Sequence, residues 1–260
     1  MTSLGGEIYL LRRKERDQVE VYDVNNYGLL RCLTVPIAVS NARWFTDMTS
    51  CEHFLCVYIG DRYSECVHRL DVRAAVFTQW AVGNRPNGIS VKASSSLLVT
   101  CPYVRKIKEF SSYGDLLHEL TLPDYVTMPW HTMQTYNGEY VLCHGAIVDA
   151  VHRVCKISAD GRHIVHSHGG QRGSDVGQYN VPIRLAVDNN QFVITVDRDN
   201  RRVRLLSPML GHVRDIVSRD QLTWRPCRQR FDEYSRRLYV AENKWNENEA
   251  ILGRVVVFSV

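Results

Sequence analysis

No apolar run in this chain approaches the roughly 20 residues that a membrane-spanning helix needs. There is no CxxC pair, and no Cys/His spacing matches a zinc site. No segment sustains the i, i+3, i+4 apolar stripe of an amphipathic helix. No low-complexity stretch divides the chain into domains. The opening residues, MTSLGGEIYLLRRK, place their charges after a short apolar run, the wrong order for a secretory signal. The formal net charge is only +4, from 32 Lys and Arg against 28 Asp and Glu, so the balance permits an acidic partner without demanding one. No Ser-His-Asp order and no nucleophile elbow occurs. The glycine-rich GGQRGSDVG precedes a strand pattern, so it has no helix dipole to offer a phosphate. These absences lead to the expectation of an intracellular, cytoplasmic protein with no membrane association, metal or small-molecule cofactor. The eight cysteines (32, 51, 56, 66, 101, 143, 155 and 227) fall mostly in strand-like runs and are expected to be small core residues.

What is present is a repeat. From Gly161 to Pro208 the chain reads as one structural period: a glycine-rich connection, a proline, then three strands joined by turns. Pro182 to Asp188 alternates apolar and polar residues. Phe192 to Val196 is a β-branched run fit for an interior strand. Arg198, Asp199 and Asn200 are turn chemistry, and Arg202 to Ser207 alternates again. The third-strand phase of this unit, Val203 to Leu206, returns at Val19, Val67, Ile107, Val154 and Val255, at the spacing of a four-stranded propeller blade. Prolines 36, 86, 129, 182 and 226 stand before alternating segments, where a residue without an N–H is tolerated. Glycines 28, 114, 161 and 211 fall in the turn after the third strand. The expectation is an all-β, six-bladed β-propeller in one domain over 1–260, with blades near 1–36, 37–85, 86–128, 129–181, 182–225 and 226–260. Met1 to Gly6 offers little strand material, and the chain stops after a third strand. An incomplete first or last blade, or a longer parent, is therefore expected.

The run from Gly169 to Ser207 resembles an NHL repeat, through Pro182, Leu185-Ala186-Val187-Asp188, Asp197, Asn200 and Arg202-Val203. Elsewhere the pattern is degenerate: Cys101 and His144 stand where Asp197 does, and Lys106 stands at the Arg202 position, whereas Arg153 and Arg254 keep the arginine. The resemblance implies a six-bladed propeller of the kind at the C-termini of tripartite-motif (TRIM) proteins. It implies a loop face that binds protein or single-stranded or hairpin RNA, and a part in substrate recognition by a ubiquitin ligase. No RING or B-box cysteine pattern occurs, so ubiquitin transfer itself is not expected.

Loops assigned to that face hold Arg105, Trp130, Arg198, Arg201, Trp224, Arg225, Lys244 and Trp245, with Asn84, Arg85, Arg172 and Tyr179 nearby in the pattern. Guanidinium pairs with phosphate and exposed aromatics stack on unpaired bases. Asp197 and Arg202 are expected to form a partly exposed structural bridge worth about 0.2–1 kcal/mol. His131, Arg184 and Arg228 are expected to line the central channel. A metal-dependent lyase or lactonase using that channel is the alternative function, but arginines there would repel a cation. His163, His166 and His168 are read as alternating on an outer strand without the further ligands a metal needs.

Overall fold

A computed structural model describes residues 1–12, 18–36, 45–146, 148, 150–245 and 251–260, together with the backbone alone at 245, 251 and 252. The fold is an all-β, six-bladed β-propeller. Blade 1 comprises β1 (Thr2–Leu4), β2 (Glu7–Arg12), β3 (Gln18–Asp23) and β4 (Leu29–Thr34). Blade 2 comprises β5 (Phe45–Cys51), β6 (Cys56–Asp61), β7 (Cys66–Asp71) and β8 (Val76–Ala81). In blade 3 they are β9 (Gly88–Val91), β10 (Leu97–Cys101), β11 (Lys106–Phe110) and β12 (Leu116–Thr121). Blade 4 has β13 (Pro129–Gln134), β14 (Tyr140–His144), β15 (Val151–Ile157) and β16 (Ile164–Gln171). Blade 5 has β17 (Pro182–Val187), β18 (Val193–Asp197), β19 (Arg202–Leu206) and β20 (His212–Val217). Blade 6 has three strands among the described residues: β21 (Arg225–Asp232), β22 (Arg237–Trp245) and β23 (Ile251–Ser259). Among the described residues no helix is long and apolar enough to cross a membrane.

The chain forms two compact units, one of residues 1–104 and 108–119, the other of 105–107 and 120–260. In each, the apolar faces of successive blades pack together. Val19 and Val21 of blade 1 meet Val57, Ile59 and Leu70 of blade 2 in the first unit. Ile183, Val196 and Val203 of blade 5 meet Leu238 and Val240 of blade 6 in the second. The second strands β6, β10, β14 and β18 are buried along their whole length, as β-branched and apolar runs between two packed faces must be. Val19, Val67, Ile107, Val154, Val203 and Val255 all lie on third strands, and the first five are fully buried. Six of the eight cysteines are buried, while Cys227 is intermediate and Cys32 exposed.

Two expectations need correction. The first blade is complete: β1 is only three residues long, but Gly5 and Gly6, both at positive φ, turn it straight back onto β2. The alternating segment expected after Pro36 falls mostly on residues 37–44, which lie outside the described residues; from Phe45 onward it is strand β5. In the turns after the third strand, Gly114 and Gly161 do take positive φ, but at the other two turns Tyr27 and Leu210 take it in place of the glycine that follows. Gly114 is also sterically required, since a Cβ there would lie 2.6 Å from Trp80 Cγ.

Aspartate closes several of the hairpins. Asp23, Asp61, Asp71 and Asp232 each accept the backbone N–H groups two and three residues on, giving the turn a local partner. Blade 1 is further tied across its strands by Glu7, which accepts both Arg31 guanidinium nitrogens at 2.6 and 2.8 Å and the Tyr9 hydroxyl. The Arg31 hydrogen bonds, opposed by burial, hold the Glu7 carboxyl below its ordinary value of 4.5. A depressed folded-state pKa gives stability that is present above the ordinary value and lost as pH falls through the depressed one. Thermal melts on acidification should therefore show a smaller loss for Glu7→Gln than for the wild type. Superimposable acid profiles would remove Glu7 from the account.

Candidate functional site

The glycine-rich segment between β16 and β17 owes its shape to two arginines on β19. Arg202 and Arg204 are two residues apart, so their side chains leave the same face of the strand. Arg202 Nε donates to Asp197 Oδ2 at 2.8 Å, and its terminal nitrogens donate to the carbonyls of Ser174, Asp175 and Gln178. Arg204, with no exposed surface, donates to the carbonyls of Asp175, Val176 and Gln178 and to Asp215 at 3.0 Å. Its guanidinium also lies 5.1 Å from the Tyr179 ring centroid. The loop makes a few local hydrogen bonds, Gly173 N–H to the Tyr179 carbonyl and Gln178 N–H to that of Asp175 among them, and the guanidiniums of the next blade hold its remaining carbonyls.

The Asp197–Arg202 pair is buried instead of lying at a partly exposed edge. Asp197 has no exposed surface and also accepts the Asn180 N–H at 2.7 Å and Asn200 Nδ2 at 2.8 Å. Burial pushes its carboxyl above the ordinary range, against the pull of Asn200 and Arg202. Tyr179, placed on the loop face by the sequence pattern, is also fully buried.

Above this network, on the hairpin between β18 and β19 and the connection into blade 6, several cations gather in the second unit. Arg198 and Arg225 both approach Asp199, at 3.7 and 3.4 Å, and Arg225 remains largely exposed. Arg201, at positive φ, donates to the Thr223 carbonyl. Arg254 joins them, a member that strand-order reading alone did not nominate: it pairs with the buried Glu242, donates to the Thr223 hydroxyl and lies 5.4 Å from the Trp224 ring centroid. Glu242 in turn accepts the Trp224 N–H, as Asp197 accepts that of Asn180. Lys244 is exposed near the end of β22, and the Trp245 side chain lies outside the described residues. Trp130 does not belong to this surface. Its indole donates to the Gly145 carbonyl at 2.8 Å, and its ring packs against the cores shared by blades 4, 5 and 6.

The first unit carries a second arrangement of the same chemistry. Tyr103, half exposed, lies within 4.9 Å of the Arg62 guanidinium and 5.7 Å of that of Arg85, measured to its ring centroid. Arg62 also donates to the Tyr103 hydroxyl. The ring lines a cavity of about 250 Å³ together with Glu65, Asn84, Arg85, Cys101 and Val104. Burial, then the neighbouring charge of Arg85, lowers the pKa of Arg62, so the two guanidiniums are held together against repulsion. Arg105, two residues along the chain, belongs to the second unit and pairs with Asp124. Arg62 and Tyr103 were missing from the sequence-based set. Their only signal is that each lies beside a hairpin at the end of a second strand.

Of the residues assigned to the channel, Arg184 and Arg228 are turned to backbone. His131 and Arg184 are buried on the first strands of blades 4 and 5, and Arg184 donates to the carbonyl of Ile183. Arg228 donates to the Cys227 carbonyl. On β16 only His166 and His168 share a face, while His163 precedes the strand in a turn closed by Ser158. His168 stacks on His212 at 6.2 Å, and burial lowers its pKa, favouring the neutral ring.

The sequence matches no family model and no curated protein. Solved structures resemble it in fold. A protein of unknown function from Bacteroides caccae aligns over 94% of this chain and 85% of its own, at 11% identity and a TM-score of 0.67. Virginiamycin B lyase from Staphylococcus aureus aligns over 95% and 82%, at 11% identity and a TM-score of 0.60. Hydrazine synthase of Kuenenia stuttgartiensis aligns over 94% and 89%, at 12% identity and a TM-score of 0.64. At these identities the likeness is one of fold alone, and none of these matches carries the NHL resemblance read from the sequence.

Proposed function

We propose that this propeller is a non-catalytic interaction module that binds single-stranded RNA. The observation that carries the reading is Tyr103, exposed at the rim of a cavity and flanked by Arg62 and Arg85. An aromatic face stacks on an unpaired base, and paired guanidiniums whose charges repel each other gain most from an intervening phosphate. Arg198, Arg201, Arg225 and Arg254 in the second unit supply further phosphate contacts, with Asp199 the carboxylate that competes at their exposed edge. The NHL-like blade fits a recognition role of the kind that propellers serve in tripartite-motif ubiquitin ligases, with transfer chemistry supplied elsewhere.

Filter binding of a random single-stranded RNA pool over a salt series tests this. Tyr103→Ala should weaken binding by the equivalent of about 1–3 kcal/mol. The double variant Arg201→Ala, Arg225→Ala should reduce the salt slope by about one or two. No RNA binding at low salt, with capture of an acidic protein that Arg85→Ala abolishes, would replace RNA with a protein partner.

A further inference from the structure

In blades 5 and 6 the last buried carboxylate of the second strand faces an arginine on the third. Asp197 is registered with Arg202 and Glu242 with Arg254. Blade 2 keeps the carboxylate but not the cation. Asp61 is registered with Cys66, and His68 follows on the same face of β7. All three side chains are buried.

We propose that Asp61, Cys66 and His68 form a zinc site. Cys66 Sγ and His68 Nε2 are 3.5 Å apart, and His68 Nε2 and Asp61 Oδ2 are 3.7 Å apart. The three donor atoms lie within 4.8 Å of one another. Bonds of about 2.3 Å to sulfur and 2.0 Å to nitrogen at a tetrahedral angle put those two atoms about 3.5 Å apart. The thiol–imidazole separation already has this value, while the carboxylate has to close in by a few tenths of an ångström on the imidazole and, from a separation of at most 4.8 Å, by up to about 1.3 Å on the thiol. Asp61 is oriented for the task. Its Oδ1 is engaged by the N–H groups of Tyr63 and Ser64, which leaves Oδ2 turned towards the imidazole. One sulfur, one nitrogen and one oxygen suit a borderline divalent metal, and zinc takes such a mixed set with water in the fourth position.

Binding converts the Cys66 thiol to thiolate and releases that proton to solvent. His68 ligates through Nε2 as the neutral ring. The metal dication then supplies the positive charge that arginine supplies in blades 5 and 6. The hairpin between β6 and β7 gains a cross-link where blade 5 has an ion pair. Sequence spacing hides the site because its ligands are separated by a turn, outside any CxxC or HxxxH pattern.

Blade 4 provides an internal control. Cys155 Sγ lies 3.5 Å from His144 Nε2, the same separation, but the carboxylate position there is occupied by His144 itself. Tag-free full-length protein, stripped with chelator, is titrated with zinc chloride and separately with cobalt(II). The expected result is one zinc per chain by elemental analysis and a sulfur-to-cobalt charge-transfer band with tetrahedral d–d absorption. Cys66→Ser should abolish the charge-transfer band, and His68→Gln should abolish stoichiometric retention. Cys155→Ser should leave both in place. Should Cys66→Ser prove unfolded by circular dichroism, the wild-type cobalt spectrum together with Cys155→Ser decides the matter. A wild-type chain that retains no zinc and gives no thiolate band would overturn the proposal, leaving Asp61, Cys66 and His68 as a buried polar cluster. So would a band lost in Cys155→Ser.

Discussion

Arg204→Ala is expected to destabilise the protein by about 3–5 kcal/mol, the range found when one member of a buried charged pair is removed. Three contributions combine. The carbonyl of Val176 loses its guanidinium donor, while that of Gln178 keeps Arg202 and that of Asp175 keeps Arg202 and the Gln178 N–H. The largest fully buried side chain is replaced by a methyl, leaving a void beside Tyr179. Asp215 loses its closest cation, but it is a third exposed and can be hydrated, so this is the smallest of the three. Arg204→Lys keeps the charge but offers a point ammonium where a planar fork reaches three carbonyls and a carboxylate. It should recover less than half of the loss. Urea midpoints give the energies, and limited proteolysis within 173–178 reports the loop directly. An Arg204→Ala chain within about 0.5 kcal/mol of wild type, the range of ordinary surface changes, would show that the loop is held otherwise.

That prediction marks where the sequence was legible and where it was not. Strand phase reads well because it depends on short-range alternation. Val67 and Val203 are recognisable from their immediate neighbours, and both prove to be buried third-strand residues. Pro129 and Pro182 open first strands for a local reason too, the missing N–H. The three-residue β1 escaped because it has too few residues to show a period, and the paired glycines that turn it look like a flexible end. Side-chain partners were less accessible still. Arg202 and Arg204 read as the polar half of an alternating strand, and nothing nearby shows that a loop some 25 residues earlier folds over them. Trp130 illustrates the reverse error: an aromatic beside a proline suggests an exposed platform, yet its indole N–H has a carbonyl within the fold. Arg198 and Arg201, in the turn between β18 and β19, and Arg225, at the start of β21, could be placed from the sequence because turns and strand mouths are read locally. Tyr103 and Arg62 were missed because their approach spans two blades.

The second large effect is expected at Asp197. Asp197→Ala should cost about 3–5 kcal/mol, because it removes the buried carboxylate that Arg202 Nε, the Asn180 N–H and Asn200 Nδ2 share and leaves Arg202 without its closest counter-ion. Asp197→Asn keeps one acceptor for Asn180 but presents an amide donor to Arg202 or Asn200, so it should recover only about 1 kcal/mol. The upward pull of burial on this carboxyl says that ionising it here is itself unfavourable, so a buried pair of this kind is costly to break without being a large net source of stability. The double replacement Asp197→Val, Arg202→Met separates these statements. With no charge left unpaired, it should be less destabilised than Asp197→Ala alone. It should still fall short of wild type, because Arg202 also serves the carbonyls of Ser174, Asp175 and Gln178. If the losses of Asp197→Val and Arg202→Met, each measured singly, add up to that of the double variant, the pair is not coupled, and the energetic weight of this corner rests on the loop contacts instead.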